Sequence, residues 1–381
     1  MTLFENTDCH FKSGYIQVVL DHPYYEPGSE VSGNVYLRIT ETISGIQGIK
    51  FEMKGGRKNQ FTRYWTTHKK VDGKMEATRH HEVLRKKHKF LSYEETRTNL
   101  PSELSGDFKM AFKFKLPNGS PSSFMFSDKK TKQKPSAKIK YFVKAKLLSG
   151  YDDFEMKHKA VLAVREETEE LKENKTIEET SEIKTMCCCS QGDSKLKASF
   201  SKNVFTPQED AVGDIVIDNS ECKVGVSKVE FAIKQIITQK IGRHSNVVEN
   251  EIIRKKCEGP AAQESTWTKA MKLKLDKIKY DVPGSKMKKG KMKKISNEDR
   301  WSMASLQPAC HAKGFSNDYF LTVTTEYDGC VCCIDLPDAK MKVTIVPLVN
   351  PACIGLAAPE DFSPEDLGSI DCGLNQCGES D

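Results

Sequence analysis

The chain has 381 residues, 38% of them hydrophobic and 29% charged, with 59 basic and 53 acidic side chains giving a formal net charge of +6. That length exceeds what one hydrophobic core serves, so two domains of ordinary size are expected, and so modest a net charge makes its local distribution matter more than its sum. No run approaches the roughly 18 apolar residues of a membrane span, and the N-terminal residues lack a signal-peptide pattern. The expected setting is therefore cytosolic and reducing, where the 13 cysteines are thiols or metal ligands rather than a disulfide framework.

In chain order, Ile16, Val18 and Leu20 alternate as a first strand and His22-Pro23 ends it. Pro27-Gly28 then sets a turn, and Val31, Gly33, Val35, Leu37 and Ile39 fall on one face of a half-buried strand. Ile49, Phe51 and Met53 make a third strand, which Gly55-Gly56 is expected to end. Residues 57–100 read as short strands joined by long basic loops. Phe108, Met110, Phe112, Phe114 and Leu116 alternate largely with lysines, which predicts a strongly amphipathic strand. Phe124 and Phe126 are expected to cover an edge, Ile139 to Leu147 form another strand, and Ala160 to Val164 the last of this half.

Residues 165–186 are charge-rich and apolar-poor, the composition of an interdomain linker. The second half then repeats the first. Phe205-Thr-Pro207 through Ala211, Gly213, Ile215 and Ile217 echoes Tyr25 through Leu37 at a displacement of about 180 residues, and Val229, Phe231 and Ile233 echo Ile49, Phe51 and Met53. Met271-Lys-Leu273-Lys-Leu275 matches Phe112-Lys-Phe114-Lys-Leu116 at a shorter displacement, and Tyr319 to Tyr327 recovers the longer one, so an insertion is expected within 276–315. The reading is all-β: two tandem immunoglobulin-like antiparallel β-sandwiches. Its parts are an N-terminal sandwich at 8–164, an acidic linker with a cysteine triplet at 165–194, a C-terminal sandwich at 195–350 and a short acidic tail at 351–381.

This signature resembles the arrestin family. The likeness is carried by Tyr25-Glu-Pro-Gly-Ser-Glu-Val-Ser-Gly33, Leu116-Pro-Asn-Gly-Ser-Pro-Ser-Ser-Phe124, Lys140 to Leu147, the triplet Cys187-Cys-Cys189 and Ile217-Asp-Asn-Ser220, over residues 10–350. The triplet favours the α-arrestin branch. The resemblance implies a non-enzymatic cytosolic adaptor, peripheral to the plasma membrane or endosomes, that binds cytoplasmic tails of receptors or transporters and works with trafficking machinery in endocytosis or sorting. One departure matters. Ubiquitin-ligase recruitment through Pro-Pro-x-Tyr has no motif here, because the chain has no Pro-Pro pair. A retromer-like coat subunit shares the implied architecture and stays open as an alternative. A cysteine-dependent metal-handling or redox protein stays open as another.

Three clusters can carry binding chemistry. Cys187, Cys188 and Cys189 and the set Cys330, Cys332 and Cys333 precede strands whose beginnings an immunoglobulin-like sandwich places at one end, so four of the six can hold a structural zinc. Palmitoylation and plain reduced thiols are the competing readings. Lys286, Lys288, Lys289, Lys291, Lys293 and Lys294 form a basic loop that suits a phosphoinositide surface, or merely solvent. Nucleic acid is not expected as its partner, since no stacking aromatics interleave. Arg79, Arg85, Lys86, Lys87 and Lys89 form a third cluster that suits phosphorylated cargo. Adjacent His80 and His81 point to opposite faces of a strand, which argues against a metal pair there. No nucleophile elbow, P-loop or zinc-protease helix occurs, so no catalytic residue is assigned.

Overall fold

The computed structural model describes residues 10–72, 74–150, 156–186, 189–277, 307–331, 336–346 and 362–372. The first half supplies β1 (His10–Phe11), β2 (Gly14–Leu20), β3 (Glu30–Ser44), β4 (Ile46–Val71), β5 (Lys74–Arg97), β6 (Glu103–Lys115), β7 (Phe124–Ser127), β8 (Ser136–Ser149) and β9 (Met156–Leu162). These form one sheet in the order β1-β2-β3-β6 and another in the order β5-β4-β8-β7, with β9 beside β8. The Pro27-Gly28 turn forms as its sequence requires: Ser29 N donates to Glu26 O, and Gly28 adopts a φ of 78°.

Apolar side chains of the two sheets close on each other. Val31, Val35 and Leu37 pair in register with Phe114, Met110 and Phe108, all buried, and the Phe112 ring meets Phe51 of the opposite sheet at 4.8 Å. Gly33 sits opposite Phe112, where an added Cβ would fall 2.6 Å from the ring and 2.2 Å from the Val19 carbonyl oxygen. This glycine is kept for space.

The second half comprises β10 (Glu173–Thr185), β11 (Cys189–Lys202), β12 (Val204–Phe205), β13 (Asp210–Asp218), β14 (Val226–Ile241), β15 (His244–Cys257), β16 (Trp267–Lys274), β17 (Cys310–Ala312), β18 (Phe315–Tyr327) and β19 (Asp338–Ile345). Its sheets run β10-β11-β13-β16 and β12-β19-β18-β14-β15, with β17 beside β18. The expected echo is structural. Gly213 lies opposite Met271 as Gly33 lies opposite Phe112, and its face is covered by the buried Phe231 ring. Each half has its own core, and Ile237, Cys310 and Phe315 of the second half join the core of the first.

Three expectations are corrected. Residues 57–97 are not short strands and loops: β4 and β5 form one continuous hairpin whose ladder runs from Ile49↔Arg97 to Val71↔Lys74, through Gly55-Gly56. A bulge on β5 at Phe90 absorbs the glycine pair. Within the segment expected as a linker, Glu173–Thr185 is β10, laid along β11 with Ile183 fully buried. The acidic tail also contains a strand, β20 (Glu365–Cys372), which adds parallel to β6 at the edge of the first sheet.

Candidate functional site

The β6 edge is the surface on which the chain's own C-terminal strand, β20, adds to the first sheet. A central strand edge exposes N–H and C=O groups that must be paired, covered or solvated. Here β20 covers it. Glu365 and Asp366 lie opposite Phe108 and Lys109, and Ser369, Ile370 and Asp371 lie opposite Ala111, Phe112 and Lys113. Between the two runs Gly368 takes a φ of 85°, and its N–H donates to Asp366 Oδ1 at 2.7 Å, forming a bulge. Ile370 is fully buried and Leu367 packs partly on the core. Lys113 pairs with Asp371 at 3.2 Å, and Arg97 Nη1 donates to the Ser369 carbonyl at 2.9 Å.

The start of this segment is held by a separate anchor. Arg38 on β3 makes a two-bonded contact with Asp107 on β6, at 2.6 and 2.7 Å, and its guanidinium lies 5.3 Å from the centre of the Phe362 ring. Phe362 meets Tyr36 edge-on, and Ser363 N donates to Asp107 Oδ2. The hydrogen bonds from Arg38 hold the Asp107 carboxyl below its usual range. Burying Ile370 is worth about 1.5–3 kcal/mol. Ile370 is joined by Phe362, Leu367 and the Lys113–Asp371 pair in holding the segment, and its tether to the same chain raises its effective concentration at the β6 edge.

The two sandwiches meet along a seam of mixed polar and apolar contacts. Asn59 Nδ2 donates to the Gly314 carbonyl at 3.0 Å, Gln239 Nε2 to the Ser136 carbonyl at 2.9 Å, and Phe124 packs on Phe315. Arg57 is buried in this region, where desolvation lowers its pKa. Cys310 is buried against the Ser122 carbonyl, and loss of solvent pushes its thiol well up. At the rim, His311 bridges Glu166 and Asp318 at 2.9 Å each. Hydrogen bonds to Asp318 and Glu166 raise His311 to about 9. Burial opposes ionisation of Asp318, but His311 and Lys342 outweigh it and bring that carboxyl down to about 2.

The structure distributes the sequence-assigned clusters unevenly. Arg79, Arg85, Lys87 and Lys89 are exposed on one face of β5, whereas Lys86 is exposed on the other. Cys189 and Cys330 are exposed and close to one strand end: Thr185 pairs with Cys189 and bridges Val331, and Met186 N donates to Cys330 O at 3.2 Å. Cys187, Cys188, Cys332 and Cys333 lie outside the described residues, and among the described residues no group of three ligating side chains gathers. Lys286, Lys288, Lys289, Lys291, Lys293 and Lys294 also lie outside them.

A family model described as "Arrestin (or S-antigen), N-terminal domain" matches residues 16–169, and one described as "Arrestin (or S-antigen), C-terminal domain" matches residues 190–349. The chain belongs to the arrestin family. Comparison with individual curated proteins gives no match. Arrestin membership accounts for the two sandwiches, and both matched regions stop before β20. Sequence reasoning missed this arrestin's tail strand because only Leu367 and Ile370 mark it as apolar. The one available signal is complementarity: an acidic tail without basic residues, against a β6 whose outward side chains include Lys109, Lys113 and Lys115. No helix among the described residues is long and apolar enough to cross a membrane.

Proposed function

We propose that this arrestin is a non-enzymatic cargo adaptor that binds extended cytoplasmic segments of membrane receptors or transporters and directs them into endocytic or sorting carriers. The observation that carries the reading is the β6 edge occupied by the chain's own β20. An edge that accepts one extended segment through main-chain hydrogen bonds, with a buried position for a single Ile, accepts another of like chemistry. Acidic or phosphorylated segments suit Lys113, which receives Asp371, and Lys109, which lies opposite Asp366. Such a protein acts peripherally at the plasma membrane or endosomes. The triplet Cys187–Cys189 supports an α-arrestin assignment, and with the Cys330 cluster it supports a structural zinc near the junction of β10 and β11. Elemental analysis of protein purified without chelator tests the metal, and its absence ends that part of the proposal.

Fluorescence anisotropy with labelled cytoplasmic-tail peptides tests the adaptor reading. A chain ending at residue 361 and the variant Ile370→Asp should each bind cargo tails about tenfold or more tightly than the full chain, since the competing strand is removed or weakened. Equal, weak binding by all three would sink the reading.

A further inference from the structure

Past Gln60, β4 loses its partner β8, and the β4–β5 hairpin continues as a two-stranded ribbon. Strand alternation sorts its side chains into two unlike faces. One face carries Arg63, Trp65, Lys69, Glu76, His80 and Glu82, charges of both signs, with Trp65 stacked on His80 beneath Arg63. It turns toward the second sandwich, where Arg63 contacts His244.

The other face is different in kind. Along the paired strands between residues 56 and 89 it bears Lys58, Lys70, Arg79, Arg85, Lys87 and Lys89, all exposed, and no acidic side chain, with exposed Asp72 at the turn beyond the last pair. Among the described residues none of these six has an ion-pair partner. Tyr64, Met75 and Val83 lie on the same face at 50%, 66% and 43% exposure, three of the seven large hydrophobic residues exposed among the described residues. The loop after β7 extends the positive region: Tyr64 Oη donates to the Lys132 carbonyl, in a segment that also carries Lys129, Lys130 and Lys134.

We propose that this face of the hairpin is a docking surface for anionic membrane, lying flat on the leaflet with Tyr64, Met75 and Val83 at headgroup depth. A lipid surface fits for three reasons. The basic groups are spread along a ribbon of about 40 Å rather than gathered into a pocket, as a single phosphorylated residue would require. Apolar and aromatic side chains sit between them, where an interface receives them and bulk solvent does not. The indole that could stack on a nucleobase is on the opposite face and already stacked. The inference does not depend on strand addition at β6.

The test is co-sedimentation of the full chain with phosphatidylcholine vesicles, with and without phosphatidylserine. Each basic residue near an anionic leaflet multiplies partitioning by about fivefold, so Arg85→Glu with Lys87→Glu should lower binding about 25-fold or more. The same charge change on the other face, Lys69→Glu with Lys86→Glu, should leave most of the binding intact. Tyr64→Ser, Met75→Ser and Val83→Ser together should lower vesicle binding about tenfold without altering retention on heparin. Equal loss from both charge variants, or no loss from either, would overturn the proposal. So would binding that a soluble phosphopeptide or oligonucleotide abolishes while the serine variant leaves it unchanged, since that result assigns the face to a soluble polyanion.

Discussion

Gly33 and Gly213 stand out by their place in an alternating apolar pattern, and each marks where an aromatic ring crosses a strand. Gly33→Ala should destabilise the chain by about 1–3 kcal/mol in denaturant unfolding, because the added methyl meets backbone oxygen as well as Phe112. Gly213→Ala should cost less, since the nearest atom, on Phe231, is 3.1 Å from the new Cβ and belongs to a side chain. His311 was not legible as a seam residue. Its partners are Glu166, 145 positions away, and Asp318, seven positions on, and only the packing of the two sandwiches brings all three together. A histidine raised from 6.5 to about 9 adds stability that is fully present below pH 6.5 and is lost as pH rises toward and through 9. Asp318, held down at about 2, adds stability present above its unfolded value near 4 and lost as pH falls through 2. Amide exchange around Cys310–Ala312 should therefore accelerate between pH 7 and 9.5, after correction for intrinsic rates, and should do so much less in His311→Asn.

At the scale of elements, strands with one buried face were readable and strands with none were not. β3, β6, β8, β13 and β18 alternate apolar and polar residues because each presents a face to a core. The outer hairpin has solvent or polar neighbours on both sides, so its sequence carries no period-2 apolar signal, and its basic character resembles that of a loop. β10 fails for the same reason. Ile183 is its one fully buried side chain, and its pairing with β11 is made by backbone. These elements also differ in what they contribute to stability. Replacing residues 66–79 by a two-residue Asn-Gly turn should leave the unfolding free energy within about 1 kcal/mol of the full chain, because little apolar surface is lost there. Destabilisation by 3 kcal/mol or more would mean that the ribbon packs on something essential.

At the scale of the whole molecule, the duplicated sandwich and its internal registers could be read from the sequence, while the tail's destination could not. Repetition at a near-constant displacement is local information, whereas the docking of β20 joins residues more than 250 positions apart. The proposed adaptor function rests on that docking: cargo tails would bind the β6 edge by exchanging with the chain's own acidic strand. Hydrogen–deuterium exchange across β6, with and without the tail and a cargo peptide, tests it most directly. Removing residues 362–381 should speed exchange at Lys109–Lys115 by tenfold or more while β2 and β3 stay protected, and a bound cargo tail should restore the protection. Unchanged exchange in β6 after truncation, or cargo binding that leaves β6 unprotected, would contradict the account.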